Sequence, residues 1–229
     1  MALILHIDTA TKVSSVAIHH HDKVLGFSQI QEEKSHSAML TSQIESVCAF
    51  CQTPLSSIQA VAVSGGPGSY TGLRIGVSTA KGICFANDIP MLAVSSLHTM
   101  YEYVRSQYAS DANYWPMIDA RRMEVYTACF DTNGQQVTDI HPLIVDSSTF
   151  DKWNDKPNIL FGDGADKFVD VFQGNPSVQI LKNIVPSAAF GNQILQMKFY
   201  NSDFVDTAYF EPDYIKEFRL IQPKNKSQL

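Results

Sequence analysis

The chain has 229 residues, 45% hydrophobic and 17% charged, with a formal net charge of −6. That length can bury one large core or two small ones, and the acidic balance argues against gripping nucleic acid unaided, since free-standing binders carry a basic surface. No apolar run reaches the length of a membrane span or a secretory signal, so a cytoplasmic protein without membrane attachment is expected, and four scattered cysteines are too few for a disulfide framework.

Residues 3–8, 14–19 and 24–29 read as three short strands, with a turn at His20-His21-Asp22-Lys23. The run His19-His20-His21 fits a solvated hairpin tip better than a metal site, because neighbouring strand residues face opposite sides and cannot converge on one ion. Asp8 ends the first strand and is followed by Thr9 and Thr11. Its carboxylate suits a hard cation, and equally a turn in which it accepts backbone N–H bonds.

Ser35 is placed to cap a helix running to about Gln52. Leu40, Ile44, Val47, Cys48 and Cys51 recur at helical spacing and should face a core, with Met39, Gln43, Ser46 and Phe50 as a second row beside them. Cys48 and Cys51 have CxxC spacing. They lie late in the helix, away from the N-terminal end that would activate a thiol and without a second ligand pair for zinc, so packing is their expected role.

A buried strand over 58–64 runs through Gly65-Gly66-Pro67-Gly68-Ser69-Tyr70-Thr71-Gly72 into a helix over 71–87. Such a turn lacks Cβ atoms and permits positive φ, so its N–H groups can gather at the positive end of the helix, which is anion-binding geometry. The spacing is neither that of a Walker A loop nor, by one residue, that of a dinucleotide fold, and a tight ligand-free connection explains it equally. Along the helix Arg74, Ser78 and Lys81 form a narrow polar stripe. Leu73, Ile75, Val77, Ala80, Ile83, Cys84 and Phe85 cover more of the circumference than one sheet can bury. Gly72, Gly76 and Ala80, four apart, leave a shallow track for another helix, of the same lobe or of a partner.

A strand over 91–94 and a helix over 96–110 follow. From Tyr114 the theme restarts, with strands over 114–119, 124–131 and 137–145, an Asn133-Gly134 turn, a short strand over 158–162, and helices near 165–172 and 186–200. The order predicts an α/β fold with a duplicated lobe, the second reduced: 1–110, 111–202, and a tail over 203–229 whose end should fray. Asp119 takes in the second lobe the place of Asp8 in the first. Asp119-Ala120-Arg121-Arg122 lacks the glycines that let phosphates approach, and Arg121 and Arg122 suit either phosphate contacts or ordinary surface charge. Gly162-Asp163-Gly164-Ala165, a Gly-x-Gly before a helix, resembles a remnant of an adenosine-binding loop and equally suits a plain turn.

Ile7-Asp8-Thr9-Ala10-Thr11, Gly66-Pro67-Gly68-Ser69-Tyr70-Thr71-Gly72-Leu73-Arg74-Ile75-Gly76, Val94-Ser95-Ser96-Leu97 and Ile118-Asp119-Ala120-Arg121 with Glu124-Val125-Tyr126 recur in an order that resembles the TsaB (YeaZ) family of the bacterial machinery making threonylcarbamoyladenosine in tRNA. Gly162-Asp163-Gly164-Ala165 and Glu211-Pro212 with Tyr214 and Lys216 extend the resemblance over nearly the whole chain. It implies ribonuclease H-like lobes of the actin, sugar kinase and Hsp70 superfamily. It also implies a non-catalytic scaffold that pairs with the catalytic subunit TsaD, with the ATPase TsaE as a further partner, tRNA reached indirectly, and a homodimer when alone.

On that resemblance Asp8, Thr9, Thr11, Gly66, Gly68 and Asp119 form a vestigial nucleotide-phosphate site. No cofactor is expected on the chain itself, and ATP with Mg²⁺ belongs to the partner or the interface. Partner docking falls to Met39, Gln43, Ser46, Phe50, Gly72, Leu73, Gly76, Ala80 and Ile83. TsaD carries two histidines four apart on its first helix, whereas this chain has His36 followed by Leu40, so no metal and no catalytic residue are expected. No GxSxG, HExxH or Ser-His-Asp pattern stands out either. The rival readings are an autonomous ATP-dependent phosphotransferase of the sugar-kinase type, motivated by Asp8, the glycine turn and Asp119, and behind it a peptidase.

Overall fold

Apolar runs with little alternation belong to strands covered on both faces, and the first and fourth strands are of this kind. In the computed structural model, which describes residues 2–31, 36–108 and 110–215 (backbone alone at 36–38), β1 (Leu3–Asp8), β2 (Val13–His20) and β3 (Lys23–Gln31) form an antiparallel meander. β4 (Ala60–Gly66) lies parallel to β1 and β5 (Met91–Ser95) parallel to β4, giving the order β3-β2-β1-β4-β5. Every residue of β4 is buried, while the edge strand β3 alternates between exposed and half-buried.

The second sheet repeats this plan strand for strand. β6 (Asn113–Asp119), β7 (Glu124–Thr127) and β8 (His141–Ile144) form the meander, β9 (Asn158–Phe161) runs parallel to β6, and β10 (Val178–Leu181) parallel to β9. Identical order and sense in both halves make the molecule a duplicated ribonuclease H-like α/β fold.

The helices do not respect a boundary at residue 110. α1 (His36–Phe50) and α2 (Tyr70–Asn87) cover one face of the first sheet, setting Leu40, Ile44, Val47, Val77 and Ala80 against Leu5, Ile7, Val16 and Val63. α3 (Ser96–Gln107) turns Leu97, Met100 and Val104 toward Tyr114, Ile118 and Phe161 of the second sheet. α4 (Asn192–Tyr200), expected in the second lobe, returns to pack Ile194 and Leu195 on Ile4, Ala62 and Leu92 of the first. The tail follows it. Val205 bridges Met91 of β5, and the Asp213 N–H donates to the Gly65 carbonyl at 2.8 Å.

Some expected elements are shorter. β7 ends at Thr127 and β8 covers only His141–Ile144, because the chain between them leaves the ladder through the Asn133-Gly134 turn, touching it by isolated bridges at Phe130. The helix expected near 165–172 is a 3₁₀ turn over Asp166–Phe168, and the one from 186 starts only at Asn192, after Gly191 at φ 78°. β10 was not anticipated. Ser35 and residues 216–229 lie outside the described residues. Among those described, no helix is long and apolar enough to cross a membrane.

Candidate functional site

Ser69 stands before α2 in an extended conformation, and its hydroxyl accepts the Gly72 N–H at 3.3 Å, which caps the helix. The glycines around it are required by the chain's own loop. A Cβ on Gly68 would lie 2.4 Å from the Ala10 carbonyl oxygen, one on Gly72 2.1 Å from that of Thr9, and one on Gly76 2.4 Å from the Thr9 hydroxyl. Two hydrogen bonds fasten the same contact: Ser69 N–H donates to the Ala10 carbonyl at 2.6 Å, and the Thr9 hydroxyl to the Gly72 carbonyl at 2.7 Å.

Residues 8–11 therefore lie directly against the glycine turn, and close approach by the chain's own backbone accounts for its glycines. Asp8 is fully buried; its Oδ1 accepts the Ala10 N–H at 2.9 Å and its Oδ2 the Ser64 hydroxyl at 2.6 Å. Buried Thr11 accepts the Val13 N–H at 3.2 Å. Thr9 and Ala10 thus pack against Gly68, Gly72 and Gly76, with Asp8 bonded beneath them, whereas Gly66 faces the Asp213 carbonyl and Thr11 bonds only locally. Asp119 lies in the other lobe, where Lys167 Nζ holds its carboxylate at 2.6 Å. The glycines on the inner side of the turn serve internal packing, and both carboxylates have protein partners.

In the second lobe the Gly162 turn, at φ 109°, is equally closed: a Cβ there would fall 2.1 Å from the Met117 carbonyl oxygen. Asp163 behind it is pushed up to about 6, first by burial, with the neighbouring Asp119 charge adding to the rise and the Asp119 N–H and Lys167 opposing it.

The expected docking rows divide by burial. Gln43, Gly72, Leu73, Gly76 and Ala80 are buried within their own lobe and are not surface. Gln43 serves the sheet: its Oε1 accepts the Ser14 hydroxyl at 2.7 Å and its Nε2 donates to the Ser14 carbonyl at 3.2 Å. The small-residue track of α2 is filled by the loop after β1. Ser46 and Phe50 stay exposed, the latter by 80%, while Met39 and Ile83 are half-buried.

The outward stripe of α2 is instead Thr71, Arg74, Ser78, Gly82 and Phe85, at helical spacing, with Phe85 89% exposed. Beside it Tyr70, Thr71, Arg74, Ile75, Ser78 and Thr79 line an open groove of about 490 Å³. Arg74 is pre-set at its head. Its guanidinium lies 4.2 Å from the Tyr70 ring centroid, and its Nε donates to the Tyr214 hydroxyl at 3.1 Å, a bond that raises its pKa. The Arg74–Ser78 stripe was visible in the sequence; the tail residue that completes it was not.

A second polar cluster had no signal in the sequence. His6 Nδ1 and His19 Nε2, both fully buried, donate to the single carbonyl of Ala188 at 2.8 and 2.7 Å, and the Ala188 N–H donates to the Ser15 hydroxyl at 2.8 Å. His19 therefore does not belong to a solvated tip. Burial lowers the His6 pKa to about 3 and lowers that of His19 as well. Ser64, between His6 and Asp8, is 1% exposed with its hydroxyl committed to Asp8, so no nucleophile is presented.

The thiols of Cys48 and Cys51 are half-buried, and burial raises both pKa values, which disfavours the thiolate form. Cys51 lies just beyond α1. The side chain of His36 lies outside the described residues, among which no group of three or more potential metal ligands occurs.

Comparison with known proteins gives concordant likenesses. A family model described as TsaD, tRNA N6-adenosine threonylcarbamoyltransferase, matches residues 10–173. The chain is 34% identical over 163 residues to the tRNA threonylcarbamoyladenosine biosynthesis protein TsaB of Bacillus subtilis, covering 69% of this chain and 70% of that one. It is 35% identical over 133 residues to TsaB of Escherichia coli, spanning 57% of each chain, a little over half the length of that relative. Among solved structures, YeaZ from Pseudomonas aeruginosa superposes with a TM-score of 0.79 at 23% identity, covering 93% of this chain and all of that one, a likeness of fold.

Proposed function

Because the chain belongs to the TsaB family of tRNA threonylcarbamoyladenosine biosynthesis proteins, we propose that it serves as a non-catalytic scaffold, docking the catalytic subunit TsaD along the outward stripe of α2 and the exposed end of α1. The observation that carries this reading is the division of labour around the glycine turn. Its inner side is packed against the loop after β1, with the Ala10 and Thr9 carbonyls against Gly68 and Gly72, while its outer side opens into a groove. A lobe built this way supports binding rather than phosphoryl chemistry.

In this reading TsaD performs threonylcarbamoyl transfer to tRNA, TsaE supplies ATPase action, and any Mg²⁺-ATP belongs to those subunits. Docking stabilises whichever conformation of TsaD makes the contact. Thr71, Arg74, Ser78 and Phe85 replace the buried Gly72, Leu73, Gly76 and Ala80 as the contact set. An Arg74 already stacked on Tyr70 loses little side-chain freedom on binding.

The test is co-purification with TsaD. Ser78→Arg puts a second cation one helical turn from Arg74 on an exposed position, and is expected to weaken association by roughly tenfold or more while the thermal midpoint stays within a few degrees. Unchanged association would place the interface elsewhere. For the phosphotransferase reading, calorimetry of the isolated chain with Mg²⁺-ATP is expected to show no heat of binding at micromolar concentrations; saturable binding with turnover lost in Asp8→Ala would reverse the assignment.

A further inference from the structure

Four arginines fall among the described residues, and two of them have structural work: Arg74 bonds Tyr214, and Arg105 donates to the Thr132 carbonyl at 2.9 Å. Arg121 and Arg122 do not. Both are exposed at the tip of the β6–β7 hairpin, and no hydrogen bond or ion pair among the described residues holds either guanidinium.

Their backbone makes the choice of residue more telling. Arg121 and Arg122 sit at φ 73° and 51°, consecutive left-handed positions that turn chemistry fills with Gly or Asn. Arginine is a poor solution to the backbone requirement, so the hairpin geometry does not account for it. The base beneath them is rigid. Lys167 Nζ donates to Asp119 Oδ1 and to the Glu124 carbonyl, each at 2.6 Å, and the Asp119 carboxylate also accepts the Arg121 N–H at 3.0 Å. Asp119 at the foot of the tip is thereby occupied by an ammonium and a main-chain donor, and both arginine side chains stay exposed.

We propose that Arg121 and Arg122 contact phosphates of the RNA backbone, so that this chain touches the substrate tRNA directly while its partner carries out the chemistry. The proposal rests on the tRNA-modification reading given above. A planar guanidinium matches two phosphate oxygens at once, and adjacent arginines on a stiff tip can take neighbouring phosphates without reading base sequence. On a chain of net charge −6, repelled as a whole by a polyanion, such a point decides where RNA can pass.

The experiment uses the assembled complex of this chain with TsaD and TsaE and an ANN-decoding tRNA. The double substitution Arg121→Gln with Arg122→Gln is expected to raise the KM for tRNA by roughly tenfold with kcat little changed, and to flatten the dependence of log affinity on log salt by about 2. Co-elution with TsaD should be unaffected. Lys23→Gln with Lys152→Gln removes equal charge from other exposed positions and should leave both tRNA readouts unchanged. An unaltered KM and salt slope in the arginine variant, with assembly intact, overturns the contact. Weakened association with TsaD or TsaE overturns it too, assigning the arginines to a protein surface. If the unsubstituted chain fails to assemble with TsaD at all, the functional reading has failed and the RNA contact falls with it.

Discussion

The peptide at Ala188 shows how much can rest on a single residue that has no functional side chain. Its carbonyl takes N–H bonds from His6 and His19, and its N–H goes to Ser15, so the strand-crossing segment between the second sheet and α4 is pinned to β1 and β2. Both imidazoles are held neutral by burial, which sets the sign of the pH effect. In the unfolded chain each histidine takes up a proton as pH falls below about 6.5, while folded His6 stays neutral until about 3, so stability is present above the unfolded value and is lost progressively between the two. At pH 5 the loss from His6 alone is ~2 kcal/mol. Chemical denaturation of the chain at pH 7 and pH 5 is expected to show it, and His6→Gln should lower stability at pH 7 but reduce the pH dependence. Equal slopes in the two proteins would show that His6 is not the titrating group. Nothing in the sequence joins position 6 to position 188, so this cluster was illegible. Alternation in the second strand does place His19 on the same sheet face as Ser15 and Ala17, a hint the triple-histidine run concealed.

Along α2 the same residue type does opposite jobs at the two ends of the helix, which is why its face could be misread. Gly72 lies with no room for a Cβ beside the Thr9 carbonyl, whereas a Cβ on Gly82 meets nothing within 4 Å. Gly72→Ala is therefore expected to destabilise by ~3 kcal/mol or more through displacement of the loop after β1. Gly82→Ala should stabilise by up to ~1 kcal/mol, the helix-propensity difference. Thermal melts of the two variants check the pair, and similar midpoints would mean the loop does not lie where it is placed. Glycines four apart announce close approach; which chain approaches is a tertiary fact, and here it is residues 8–11. Strands β1 and β4 were legible because their apolar runs are unbroken and flanked by clear turns. β10 was not, because Val-Gln-Ile-Leu is a four-residue edge strand of mixed burial, too short to show a period. The start of α4 was misjudged because Pro186 suggested a first turn that the chain delays to Gly191.

At the scale of the molecule, the repeat of one strand order in two halves could be seen in the restart at Tyr114, but the exchange of α3 and α4 between sheets could not. Helix amphipathicity reports that a face is covered, never by which sheet. The exchange ties the halves together: α3, still in contact with β4 and β5, builds the core of the second sheet, and α4 with residues 203–215 returns to the first and delivers Tyr214 to Arg74. The far end of the chain thus braces Arg74 at the head of the α2 groove, and both glycine turns are packed against their own backbone. The proposed scaffold role is tested most directly by threonylcarbamoyl transfer to tRNA in a mixture reconstituted from purified TsaD and its accessory enzymes, with this chain added last. Transfer is expected to return with the unsubstituted chain, to remain at the unsupplemented level with folded Ser78→Arg, and to be absent with the chain alone. Full restoration by Ser78→Arg, or transfer by the solitary chain, would contradict the assignment.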